Sequence, residues 1–185
     1  MIDTTPLKTQ IGNNFDRLFM IHAAQGNMAE VMMGRLALQK SRNPKVRGVA
    51  QMTIQGHSEA QRDLAMHFRA MAVPMPDKPA PAQVALYEKL RRMSGANFDK
   101  TYMAQQVGAH EATITLFQHQ IEHGKNAVAK QHAINKLPGI LMHTAMIYDA
   151  AISVQAPGVN LRPHPILEAA RDTDGSIQKA LGTIC

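Results

Sequence analysis

The amino-acid sequence predicts an all-α protein, and three observations point that way. Helix formers fill the apolar share: of 185 residues 45% are apolar, with Met 13, Trp 0 and aromatics at only 4%. Met, Leu and Ala favour helices, and the β-branched and aromatic residues of strands are thin. Apolar residues also recur at alternating spacings of four and three along several long segments, which is the period of one helix face. The breaks between those segments carry helix-ending chemistry, Asn43-Pro44 and Gly124 among them.

Taken in order, the first helix is expected from about Asn13 to Ser41, capped by Asn13 or Asn14, with Phe15, Phe19, His22, Gly26, Glu30 and Met33 along a broad stripe. Asn43-Pro44 ends it, and Pro44 suits the first position of the next helix, because its missing N–H is one that no helix would satisfy there. The second helix runs to about Val73 with Val46, Ala50, Thr53, His57, Ala60 and Leu64 on one face. The stretch VPMPDKPAPA, with four prolines in ten residues, then reads as a linker. A short helix from Ala82 to Met93 follows and ends at Gly95. The third long helix spans Asn97 to His123 with Met103, Val107, His110, Ile114, Phe117 and Ile121 on its seam. The fourth runs from Asn126 to Val154 with Leu137, Ile140, His143, Ile147 and Ala150, and Pro138-Gly139 should kink or break it. Residues 157–185 form a separate C-terminal appendage, weakly helical from Pro165 to Leu181, that wraps the bundle or pairs with another chain. Two helix pairs joined by a crossover of about two dozen residues outline a ferritin-like four-helix bundle over residues 1–156, with a short extra helix in the crossover. An up-and-down bundle with a decorated middle loop is the alternative.

Charge narrows the partners. The formal charge of +6 and pI near 9.7 invite a nucleic-acid reading. The Lys and Arg residues are scattered singly among acids, however, with no basic stripe interleaved with aromatics, so no specific nucleic-acid site is expected. No run of 18 apolar residues is present for a spanning helix, and the N-terminal MIDTTPLKTQ has no apolar signal region. The lone Cys185 rules out an internal disulfide.

The seams carry polar groups where apolar ones would be expected. Glu30, His57, His110 and His143 each sit on an apolar stripe, one per long helix. Counted from the two hinges at 1.5 Å per residue, Glu30 and His57 fall within roughly 5 Å in height, as do His110 and His143. One Glu and three His suit a single transition-metal ion such as Zn²⁺, Cu²⁺ or Fe. A metal-free polar layer of the same groups with Tyr102 or Tyr148 is the competing structural account. A di-iron oxidase would need Glu-x-x-His pairs, and the chain contains none. His119 and His123, spaced i, i+4 near a helix end, form a secondary chelating pair that His132 could join. Met28, Met32 and Met33 suit a soft Cu(I) patch, though helical Met is more often packing. His22, His67 and His164 show no evident partners. No Gly-x-Ser-x-Gly, phosphate loop or dinucleotide fingerprint supports nucleophilic or nucleotide chemistry.

The stretches AAQGNMAEVMMGRLALQKSRNPKV, FDKTYMAQQVGAHEATITLF and HGKNAVAKQHAINKLPGILMH resemble the bacterial family called domain of unknown function 4142 over about residues 13–150. The resemblance implies a ferritin-like fold and, for most members, export to the periplasm. It implies that Glu30, His57, Phe98, Asp99, Tyr102, His110, Leu137, Pro138 and His143 occupy motif positions. The family commonly writes Asp-His at both middle histidines, where this chain has Gly56 and Ala109. Three functions stay open: a non-catalytic metal-binding or stress-related exported protein, a metal-dependent redox or hydrolytic enzyme, and an envelope interaction module that assembles through its tail.

Overall fold

In the computed structural model, residues 14–159 are described. Five helices appear in this stretch: α1 (Asn14–Lys40), α2 (Pro44–Ala70), α3 (Pro81–Arg91), α4 (Gly95–His123) and α5 (Ala127–Ser153). Their boundaries fall within a few residues of those predicted. Asn13, the Asn14 side chain and the weak helix expected from Pro165 lie outside what is described.

Local chemistry explains the helix ends. The Asn43 side chain accepts from Lys45 N at 2.9 Å and Val46 N at 3.3 Å, serving two of the backbone donors that the start of α2 leaves free. Arg47 reaches back to donate to the Leu38 and Ser41 carbonyls at 2.6 and 3.1 Å, closing the end of α1. Asn126 caps α5 by accepting from Ala129 N at 3.0 Å. Gly34 allows α1 to approach α2 closely, since a Cβ there would lie 2.9 Å from Ile54 Cγ1 and 3.1 Å from the Ala50 carbonyl.

Partner residues give the topology. Between α1 and α4, contacts join Asp16 to Gln120 and Glu30 to Gln106, and Lys40 reaches Met93 just before α4, so the two helices run antiparallel. Between α2 and α5 they join Lys45 to Asp149, His57 to His143 and Asp63 to Lys136, which is antiparallel again. With α1 antiparallel to α2 and α4 to α5, the crossover carrying α3 must return the chain to the end where α1 finished. This is the connectivity of a ferritin-like bundle.

A buried carboxylate pins the other end. Asp16 accepts from Gln120 Nε2 at 2.6 Å, from Lys125 N at 3.1 Å and from Asn126 N at 3.0 Å. It thereby ties the start of α1 to the α4–α5 hinge with charge-assisted bonds, the stronger kind.

The core divides into two apolar clusters. One lies toward the α1–α2 hinge, around Met33, Leu36, Val46, Phe98, Met103 and Ile147. The other lies toward the α4–α5 hinge, around Phe19, Leu64, Phe68, Ile114, Phe117 and Ile140. Between them every long helix contributes polar side chains, so the seam residues form a slab inside the bundle. Among the described residues no helix is long and apolar enough to cross a membrane.

Two expectations are corrected. The inward face of α1 carries Ala23, Ala24 and Asn27, while His22 is exposed and Gly26 half-buried. Phe19, Glu30 and Met33 of the expected stripe are buried, so the stripe is right there and misses at His22 and Gly26, because α1 has enough apolar residues to make two neighbouring faces plausible. Nor does Pro138 break α5, which runs continuously through it. Pro138 and Ile134 both lie on the exposed side, where water can serve the carbonyl that proline leaves without its helical donor.

Candidate metal centre

Three histidines from three helices converge in the polar slab. Each of α2, α4 and α5 has one seam position at the level where the apolar clusters part, and His57, His110 and His143 occupy them. Ring centroids stand 5.7 Å apart for His57 and His110, 5.8 Å for His57 and His143, and 6.2 Å for His110 and His143. One ligand nitrogen from each ring lies within 4.8 Å of the other two. A tetrahedral ion with bonds of about 2.0–2.1 Å holds its nitrogens roughly 3.4 Å apart, so small side-chain rotations would close the site.

Neighbouring groups determine which nitrogens are free. His57 Nδ1 donates to Asn27 Oδ1 at 2.9 Å, and His110 Nδ1 donates to the Gln106 carbonyl at 3.1 Å. Each bond places the ring proton on Nδ1 and leaves a lone pair on Nε2, as outer partners do for metal-binding histidines. His57 Nε2, His110 Nε2 and His143 Nδ1 are all buried, with no hydrogen-bond partner among the described residues. Three such atoms in one three-histidine cluster are costly to leave without partners.

Electrostatics keeps them unprotonated. Burial, with the neighbouring histidines adding to it, holds His57 well below the usual histidine range. Burial and His143 lower His110 to about 4, against a small opposing effect from the Gln106 carbonyl. Burial also lowers His143. At neutral pH the centre therefore offers neutral imidazoles, and an incoming cation displaces no proton from them.

Glu30 is placed one turn away. Its carboxylate accepts from Gln106 Nε2 at 2.8 Å and lies outside the three-histidine cluster. Burial raises its pKa to about 7, partly offset by the Gln106 bond. Tyr102, fully buried, stands beside it, and burial followed by the Glu30 charge raises the phenol's pKa. Gln106 joins the two levels, with its side chain on Glu30 and its carbonyl on His110. Tyr148 belongs elsewhere, donating a short hydrogen bond to Glu111.

The remaining histidines separate by location. His119 and His123 are exposed at the end of α4 with ring centroids 4.6 Å apart. His132 is 2% exposed and does not join them. It packs on Phe19 and Phe117 and faces His67 at 5.3 Å, beside the Asp63–Lys136 ion pair. Burial and then His67 lower it to about 4. His67 thus has a partner that its sequence position did not reveal. Asn27 and Gln106 also join the site without having been expected there. The signal available for Asn27 and Gln106 was modest: each is a polar residue three or four positions from a seam group.

The model of a domain of unknown function, DUF4142, matches residues 4–149. The chain belongs to this family. Glu30, His57, His110 and His143 all fall within the matched region of this DUF4142 chain. No curated protein matches it, and no solved structure does.

Proposed function

We propose that this chain holds a single transition-metal ion on His57, His110 and His143, as a non-catalytic metal-binding protein of an exported compartment. The observation that carries the reading is a cluster of three histidines with ligand nitrogens within 4.8 Å of one another, each ring also having a buried, unpartnered nitrogen. Imidazole donors suit Zn²⁺, Cu²⁺ and Fe, and copper and zinc bind nitrogen sites more tightly than iron does. Holding an ion is favoured by the apolar cluster on either side of the slab and by His110, 2% exposed, while His57 and His143 are half-buried. Glu30 contributes from one turn away as an acidic group that a nearby cation would drive toward ionisation. Placement in the periplasm rests on the family resemblance.

A second reading is a metal-free polar layer that fixes the register of the helices. The Glu30–Gln106 and Asn27–His57 bonds favour it, because each joins two polar groups of the slab without an ion. Thermal unfolding of untagged, chelator-treated protein separates the two. Zn²⁺ at about 100 times its Kd would stabilise the fold by about 2.7 kcal/mol, raising Tm by about 5–10 °C. The gain should saturate at one ion per chain and disappear in His110→Ala. If neither protein takes up stoichiometric metal and both melting temperatures stay fixed, the metal reading is lost and the polar layer stands.

A further inference from the structure

Gly56 lies directly beneath the His143 ring. A Cβ added at this glycine would fall 2.5 Å from His143 Cε1, 3.0 Å from Nε2 and 3.8 Å from Nδ1. The Cε1–Nε2 edge of the imidazole therefore rests on the α2 backbone, and Nδ1 is the ring nitrogen turned away from it. That same Nδ1 is buried and unpartnered. For His57 and His110 the unpartnered nitrogen is Nε2.

We infer that Gly56 is a positioning residue that makes His143 present Nδ1, so that the centre has two Nε2 donors and one Nδ1 donor. The inference rests on the metal-binding reading of the three histidines and adds to it which atoms bind and what holds one of them. Any side chain at position 56 must displace the ring, which ends a rotatable side chain and will yield before the helix backbone does. The displaced imidazole then swings Nδ1 away from the other two donors. The helix itself does not need this glycine, since Ala is the better helix former at an interior position. Gly48, in the same helix, has nothing within 4 Å of its absent Cβ and supplies the matched control.

The test uses ring-¹⁵N histidine NMR of the full chain loaded with ¹¹³Cd²⁺, alongside Zn²⁺ affinity and metal-free Tm for Gly56→Ala, Gly48→Ala and His143→Ala. In the wild type, cadmium coupling is expected at Nδ1 of His143 and at Nε2 of His57 and His110. Without metal, Gly48→Ala should melt about 2–4 °C higher, and Gly56→Ala should fall short of that gain because the His143 ring must shift. Gly48→Ala should bind like the wild type. Gly56→Ala should lose at least tenfold in affinity and the His143 Nδ1 coupling, and should have no further effect on affinity in a His143→Ala background. Coupling of wild-type His143 through Nε2, or Gly56→Ala binding with unchanged affinity and coupling, overturns the inference and leaves the metal reading intact. Failure of the wild type and Gly48→Ala alike to take up either ion overturns the metal reading, and the donor assignment with it.

Discussion

Acidifying the metal-free protein should unfold it through its buried histidines, and His110 allows the size of the effect to be worked out. Its imidazole titrates near 4 in the fold against 6.5 ordinarily, chiefly because burial disfavours the charged ring. Between those values the unfolded chain binds a proton that the folded chain refuses, so stability falls as pH drops through the window. At pH 5 the difference is about 0.9 proton, a slope of about 1.2 kcal/mol per pH unit. Over the window of about 2.5 units between the two values, His110 alone removes about 3 kcal/mol, a large share of a typical folding free energy. His57 and His143 act in the same direction. Replacing His110 with Leu, which fills similar space and cannot titrate, should flatten the dependence by about one proton. Urea unfolding in chelator at half-unit steps from pH 4.5 to 7 measures this slope directly. Equal slopes for His110→Leu and wild type would mean that the ring is solvated in the fold, and the argument from burial would collapse.

The other predictions concern neighbouring groups. Glu30 has its folded pKa raised to about 7 against 4.5, so its stabilising protonated state is fully present below pH 4.5 and is lost as pH rises through 7. Glu30→Gln should therefore gain up to about 3 kcal/mol over wild type at pH 8 relative to pH 4.5, by chemical denaturation; no pH dependence in that difference would show the carboxyl to be unperturbed. Asp16→Ala removes the acceptor for Gln120, Lys125 and Asn126 and should cost about 3 kcal/mol or more, because buried donors are left without partners. A loss under 1 kcal/mol would show that the hinge does not depend on it. Asp149→Asn breaks an ion pair whose side chains are 50% and 70% exposed and should change stability by less than about 1 kcal/mol, with any effect shrinking in salt.

The fold was legible where one face was unambiguous. In α2 the stripe through Val46, Thr53, His57 and Leu64 faces inward as its spacing indicates, because polar residues on the other sides leave no second choice. In α1, apolar residues on adjacent faces made the rotation uncertain, and Asn27 was missed for Gly26. Counting from hinges placed the three histidines at one height, since helix rise is fixed and both hinges are short. The same arithmetic could not resolve a single turn, so Glu30 fell level with His57 when it is held beside Gln106. Interactions between distant residues left no local trace. Asp16 looks like an ordinary first-turn acid, and its role depends on a hinge more than a hundred residues later. Gly56 reads only as a departure from the family's Asp until the ring lying on it is seen.

Whether three histidines bind one ion is tested most directly by anomalous diffraction from crystals of untagged protein grown with one equivalent of Zn²⁺. A single strong peak is predicted in the slab between the two apolar clusters, about 2.0–2.1 Å from His57 Nε2, His110 Nε2 and His143 Nδ1. A slab without any anomalous peak, or zinc bound only at the exposed His119–His123 pair, would contradict such binding.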